Sequence, residues 1–406
     1  MIINLIRMRN LKEDHKGFST ILALALIPLS GFATDVYLPS LPAMTKDLNV
    51  SASAVQLTLV FFMFSLGVSQ IFIGSILDSF GRFKINIASL AVFSIASFVI
   101  ALVPNIYIIY AMRIIQGIAI AFIVIAKRAY FVDLFKGEKL KSYISLFSII
   151  WASAPIIAPF LGGYLEHSFG WKSNFYFLGL LSFLILLLEL RYSGETINEF
   201  HPFKLKSISK TYSNMLQSAD FTLGFVILGI TFAIVIMFNL SSPFIIERIF
   251  GFSAITTGYS ALLSGLSVMI GGITAKNMLQ KPLAKKVGTA ITIQLILALL
   301  MIFTSSLESN IYTLVIFTMG LNICGGFIYN IVLSYCLSRF SKNAGIASGL
   351  TGGGAYMVSA LFSYSFVNLY TVKSQFLLGL ANISLIVIVG IVFIVFNKHR
   401  IKNAVS

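Results

Sequence analysis

Gly74-Ser75-Ile76-Leu77-Asp78-Ser79-Phe80-Gly81-Arg82-Phe83-Lys84 joins two apolar runs, each long enough to cross a bilayer. Its glycines permit a tight turn and a close helix approach. Asp78 and Arg82 supply charge-assisted contacts across the mouth of a helix bundle. Outward from this turn the same pattern repeats to both ends of the chain. Of 406 residues, 58% are hydrophobic and 11% charged, and mean hydropathy is +0.93. Such a composition excludes a soluble globular chain and leaves no segment large enough for a soluble domain.

Charge-free windows of about 20 residues, the length that crosses a hydrocarbon core, predict twelve spans near 18–39, 54–78, 85–104, 106–130, 142–165, 173–190, 221–243, 255–275, 287–306, 311–337, 345–369 and 375–396. If the N-terminus is cytoplasmic, the cytoplasmic segments hold 22 of the 29 basic residues, including Arg82, Lys84, Lys204, Lys206, Lys210, Lys276, Lys281 and Lys342, and the outer loops hold four, Lys46, Lys172, Arg248 and Lys373. The positive-inside rule then puts both termini in the cytoplasm. The net charge of +15 follows from loops that face an anionic leaflet, with no need of nucleic acid. The first ten residues, interrupted by Arg7 and Arg9, are too short for a cleavable signal, so the first helix is expected to remain and act as its own signal.

The polar stretch Arg191 to Asp220 divides the chain into an N-terminal six-helix bundle (1–190), a cytoplasmic linker (191–220) and a C-terminal six-helix bundle with a tail (221–406). Asp35-x-x-x-Pro39 before Ser51-Ala52 is echoed by Asn239-x-x-x-Pro243 before Ser253-Ala254, the spacing of an internal duplication.

Asp35 ends the uncharged run from Gly17 to Thr34. A carboxylate in a span costs about 2.5–3.5 kcal/mol on insertion scales unless it is paired, hydrated or protonated, so Asp35 is either a functional acid or a solvated group near the span's end. Arg113, in the span-four stretch Arg113-Ile114-Ile115-Gln116-Gly117, lies about 11 Å from the outer surface, at a comparable depth. Lys127 follows on nearly the same helical face and reads as a second charge lining a water-filled cavity. Span five carries Pro155, Pro159, Gly162 and Gly163, which bend a helix and let a neighbour pack closely, and span eleven has Gly352-Gly353-Gly354. Cys324 and Cys336 lie twelve residues apart in one helix, too far to bridge. The four histidines sit away from them, so neither a zinc site nor a catalytic cluster is expected, and an embedded enzyme is excluded.

The Gly74–Lys84 loop resembles the hallmark of the major facilitator superfamily: Gly, three residues, Asp, two residues, Gly, Arg, one residue, Arg or Lys. Gly74, Asp78, Gly81, Arg82 and Lys84 match it, while Ser79 stands where a basic residue is frequent. Arg113, Gln116 and Gly117 match the motif associated with proton coupling, and span five resembles the antiporter signature, with Ala158 in place of a glycine. The stretch Thr34 to Pro42, Arg128-Ala129 and Trp171 narrow the likeness to the bicyclomycin-resistance (Bcr/CflA) branch of drug exporters.

The resemblance implies an all-α membrane protein of twelve transmembrane helices in two pseudo-symmetric six-helix bundles, multi-pass in the bacterial inner membrane. It implies a monomeric proton antiporter that exports small amphiphilic molecules by alternating access, driven by the proton gradient with no cofactor or metal. The alternatives are an exporter of an endogenous metabolite such as a siderophore, and a proton-coupled importer. Asp35 and Arg113 are the expected coupling pair. Tyr37, Gln116, Lys127, Asn239, Asn322 and Asn330 are the expected cavity residues, and Asp78 the latch of the cytoplasmic gate.

Overall fold

The computed structural model describes residues 10–197, 212–278, 282–340 and 344–405, and the backbone alone for a few of them, Asp78 among these. Arg7, Arg9, Lys204, Lys206, Lys210, Lys281 and Lys342 lie outside the described residues. Among the described residues the fold is helical apart from one isolated bridge between Asn10 and Glu195. Helix α1 is a broken rod (Lys16–Leu26, Leu29–Asp35, the 3-10 turn Leu38–Ser40, and Leu41–Asp47). It is followed by α2 (Ala52–Phe80), α3 (Arg82–Leu102), α4 (Ile106–Leu134), α5 (Gly137–Phe169) and α6 (Lys172–Tyr192). The second half comprises α7 (Ala219–Phe244, extended by a wide π turn Ile245–Ile249), α8 (Ala254–Asn277), α9 (Leu283–Leu307), α10 (Ile311–Arg339), α11 (Ala344–Leu369) and α12 (Gln375–Val405).

Ten of these are long and apolar enough to cross a membrane by length and composition. The remaining two, α5 and α11, have 33 and 26 residues and pack among the others as pseudo-symmetric partners. The main packings of the first half recur in the second. Helix α2 packs on α4 as α8 packs on α10, and α3 lies on α4 and α6 as α9 lies on α10 and α12. Between the halves α2 crosses α11, and α5 crosses α8. The halves also begin α4 and α10 alike. The Asn105 side chain accepts hydrogen bonds from the N–H groups of Tyr107 (2.9 Å) and Ile108, and that of Asn310 from Thr313 (3.0 Å), satisfying donors that a helix start leaves orphaned.

Helix α1 does not end at Pro39, as the sequence reading has it. Pro28, Pro39 and Pro42 each lack an N–H and break the ladder, yet the chain starts a new turn after every break and continues helically to Asp47. Asp35 therefore sits inside the bundle, 4% exposed, rather than near the end of a span.

Glycine sets the turn and the crossings. Gly81 links α2 to α3 at φ 93°, a conformation that L side chains rarely adopt. Gly74, expected to allow a close approach, has nothing within 4 Å of its Cβ position. Close approach occurs elsewhere. A Cβ on Gly162 would lie 1.6 Å from the Val36 carbonyl oxygen of α1, one on Gly163 2.5 Å from the Ala254 oxygen of α8, and one on Gly67 2.6 Å from the Gly353 oxygen of α11. Pro159 provides no N–H for the Pro155 carbonyl, and that oxygen faces Gly265 of α8. Cross-half polar bonds occur at both ends of the bundle: toward the basic loops Arg128 Nη1 of α4 donates to Ser348 Oγ of α11 (3.1 Å), and more of them lie at the opposite end. Gln56 Nε2 donates to the Leu240 carbonyl (2.9 Å), Arg248 donates to the Pro42 carbonyl (3.3 Å) and to Thr45 Oγ1, and Ser53 donates to Asn368. Gly162→Ala is expected to cost about 1–3 kcal/mol through overpacking and to lower the thermal transition of the purified protein, whereas Gly17→Ala, with nothing within 4 Å, leaves it unchanged.

Candidate functional site

Arg113 is the largest fully buried side chain. Asn105 fixes the start of α4, two turns before Arg113, and this places the guanidinium between α1 and α2. There its Nη1 donates to the Ala33 carbonyl and to Gln116 Oε1, both at 2.9 Å, and its Nε donates to the Thr58 carbonyl at 3.4 Å. Its plane lies over the rings of Phe62 (4.2 Å) and Tyr37 (4.6 Å), so cation–π attraction compensates part of the lost hydration. Nη2 has no hydrogen-bond partner among the described residues.

Asp35 lies close enough to act electrostatically on Arg113, yet no ion pair within 4.0 Å joins them, and its carboxylate makes no hydrogen bond among the described residues. The two expected coupling groups are thus neighbours held just apart. Tyr37 is fully buried and shares a hydrogen bond with Thr58 Oγ1 (3.0 Å), so it belongs to the wall behind the guanidinium rather than to an open cavity. The field of Asp35 reaches Tyr356 of the other half, which stands in edge-to-face contact with Phe232, 6.0 Å between centroids. An acid on one half thereby faces aromatic groups on the other.

Three expected cavity residues lie between helices. Gln116 donates to Ser97 Oγ (2.8 Å) and ties α4 to α3. Asn322 donates to Ser264 Oγ (2.7 Å) and ties α10 to α8, its Oδ1 left without a partner among the described residues. Lys127 is 5% exposed and pairs with Glu189 of α6 (Nζ to Oε2, 2.6 Å), an acid the sequence reading missed. Asn86 of α3 donates to the same oxygen (3.1 Å). Lys127 is thus held by Glu189, as a buried ammonium is drawn to a buried carboxylate, and it lines a small cavity near the basic end together with Arg82, Asn86, Tyr130 and Thr196. Asn330 is exposed and contacts Gly272, and half-buried Asn239 keeps an Oδ1 with no partner among the described residues.

At the basic end, Arg82 forms an ion pair with Asp133 at the foot of α4 and donates to the Ala129 carbonyl (3.0 Å). Glu195, just after α6, accepts from the backbone N–H groups of Arg82 (3.2 Å), Phe83 (3.1 Å), Thr196 and Ile197. A linker carboxylate therefore caps α3 and fastens the α2–α3 turn to the first half. Lys84 is exposed, and the Asp78 side chain lies outside the described residues. Among the described residues no group of three His, Cys, Asp or Glu is placed to hold a metal.

Removing one partner of a buried pair leaves an uncompensated charge, whereas replacing both with apolar groups is often neutral. Lys127→Met or Glu189→Leu alone is expected to cost about 3–5 kcal/mol. The double variant recovers most of that loss, as read by thermal unfolding in detergent.

A family model described as the Major Facilitator Superfamily matches residues 23–364. The MFS-type transporter YdgK of Bacillus subtilis is 34% identical over 228 residues, covering 54% of this chain and 56% of that one. A bicyclomycin resistance protein homolog of Haemophilus influenzae is 31% identical over 205 residues (50% and 52%). These two alignments span about half the length of each relative. The multidrug resistance protein MdtL of Vibrio parahaemolyticus is 26% identical over 349 residues (84% and 86%). Two solved structures share the fold: a bacterial homolog of the human lysosomal transporter Spinster, inward-facing and occupied (TM-score 0.70, 12% identity, 96% and 97% coverage), and the inward-open xylose transporter XylE of Escherichia coli (0.70, 13%, 92% and 95%). With a family model spanning most of its length and relatives in the drug-efflux branch, the chain belongs to the major facilitator superfamily.

Proposed function

We propose that the protein is a proton-driven antiporter that exports small amphiphilic molecules, drugs included, across the bacterial inner membrane, with its basic end and both termini in the cytoplasm. The observation that carries this reading is Asp35, a buried carboxylate with no bonding partner among the described residues, beside a guanidinium that keeps a free Nη2 and opposite aromatic groups of the other half. The bicyclomycin- and multidrug-resistance names of the relatives support the direction and the substrate class.

In this reading the two six-helix halves rock about a central site. Polar bonds between the halves close the end away from the basic loops, and we take the cytoplasmic side as the one from which substrate is loaded. Substrate enters from the cytoplasm into a pocket where Phe232, Tyr329 and Tyr356 supply aromatic faces and Asn239 a free acceptor. Asp35 takes a proton from the outside after substrate has left and releases it to the cytoplasm. Positive charge on Arg113 opposes protonation, so the proton is held only while the local geometry screens the pair. Each proton moving inward contributes about 2.3 kcal/mol per 100 mV beyond the pH difference. Asp78 is assigned the cytoplasmic latch, on a turn that Arg82 and Glu195 hold to the first half.

Asp35→Asn in proteoliposomes is expected to abolish efflux driven by a pH gradient while substrate counterflow, which moves no net protons, persists. Unchanged pH-driven efflux in that variant overturns the assignment. Arg113→Lys keeps the charge but cannot reproduce bonds to Ala33 and Gln116 together with stacking between Phe62 and Tyr37, and pH-driven efflux is expected to fall by about tenfold or more.

A further inference from the structure

We propose that a second proton site lies between the halves, where Glu166 of α5 and Glu247 beside α7 meet at the closed outer end, and that proton binding there drives this end shut. The inference rests on the antiport reading for the direction of the proton.

Helix geometry brings the two carboxylates together. Pro159, Gly163 and Glu166 follow one another at i, i+4 and i+7 on one face of α5. The first two rungs of that face abut α8: a Cβ on Gly258 would lie 2.8 Å from the Pro159 oxygen, and one on Gly163 2.5 Å from the Ala254 oxygen. Glu166 is the next rung outward. Thr257 of α8 donates to Glu247 Oε1 at 3.1 Å, which brings Glu247 to the same corner from the other half, and Glu166 acts on it electrostatically. Tyr164 and Tyr259 share a hydrogen bond across this junction at 3.0 Å. Glu166 Oε2 is buried and has no hydrogen-bond partner among the described residues.

The surrounding charges offset the pair only in part, Arg248 acting on Glu247 and His167 on Glu166. Arg248, next to Glu247, is turned to the Pro42 carbonyl, to Thr45 Oγ1 and to the Phe244 ring (5.1 Å). His167 neighbours Glu166 on the exposed side of α5. Asp47 of α1 is engaged by Trp171 (2.9 Å) and Lys172 (3.9 Å), and Lys46 is exposed. No ion pair within 4.0 Å reaches either glutamate among the described residues. Two half-buried carboxylates brought to one corner repel each other, which favours a proton on one of them. When the halves part, each regains water and the proton leaves. Acid outside therefore favours the closed outer end and returns the emptied transporter to its inward-facing state.

The test uses the full chain in lipid nanodiscs without substrate, with Cys324 and Cys336 replaced by alanine. Spin labels stand at Tyr107 and Tyr312, both about three-quarters exposed at the outer starts of α4 and α10. Acidification from about pH 8 to about pH 5 is expected to shift the pulsed-EPR distances toward the short population, changing the closed-to-open ratio by about tenfold or more, the size of a one-unit pKa difference between states. Glu166→Gln combined with Glu247→Gln removes the repulsion and is expected to stay closed at both pH values. Glu166→Lys, which turns the pair attractive, does the same and covers a failure of the first variant to fold. Asp35→Asn retains the titration while losing pH-driven efflux, so the two assignments fail separately. A wild-type distance that ignores pH, a double-glutamine variant that titrates like wild type, or a Glu166→Lys variant that stays open overturns the proposal.

Discussion

A guanidinium that cannot lose its charge, carried into the interior of an apolar bundle, is the constraint around which the first half is arranged. Arg113 is tolerated there because α1 offers the Ala33 carbonyl, α2 the Thr58 carbonyl, and two aromatic rings flank the charge, with Nη2 alone left without a partner among the described residues. Each of those donations fixes a helix. The bond from Tyr37 to Thr58 and the tie from Gln116 to Ser97 lie around that one buried cation, beside the α1 segment that the prolines interrupt.

The halves share an architecture but not a charge distribution. At the positions where α1 and α4 carry Asp35 and Arg113, the second half offers Asn239 or Leu240 and Thr318, all neutral. Its strongly buried acid is Asp220, at the basic end, where Tyr335 (2.6 Å) and Arg339 (2.8 Å) hold it. Ionisable chemistry at mid-depth thus belongs to one half, while the other presents aromatic and amide groups, a division suited to binding apolar guests against a titrating wall.

Hydropathy made the twelve helices legible, because a bilayer imposes length and apolarity on every span regardless of tertiary detail. The duplication was legible too, and more strongly than the Asp35 and Asn239 echo: Asn105-Ile106-Tyr107 recurs as Asn310-Ile311-Tyr312, and both asparagines cap helices. Pairings were not legible. Lys127 read as a cavity charge because its partner Glu189 lies in a different helix, two residues before Arg191, where an acid passes for the end of a span. Asp35 and Arg113 were placed at one depth, yet depth says nothing of azimuth, and backbone carbonyls outcompeted the carboxylate for the guanidinium. Prolines misled in the same way: Pro39 and Pro42 signal a stop, but the first turn of a helix tolerates them, and α1 runs on.

The contact of Gly67 with Gly353, backbone against backbone at the crossing of α2 and α11, bears on how fast the halves can exchange positions. Side chains that interlock across a sliding surface must leave one set of rotamers and enter another, at up to about 2 kcal/mol for each long side chain. Glycines have no rotamers to surrender. The side-chain cost of sliding at this crossing therefore falls on the few residues that pack beside the glycines, Met357 and Ile71, and the rest falls on the polar ends of the molecule, where water and protons can govern it.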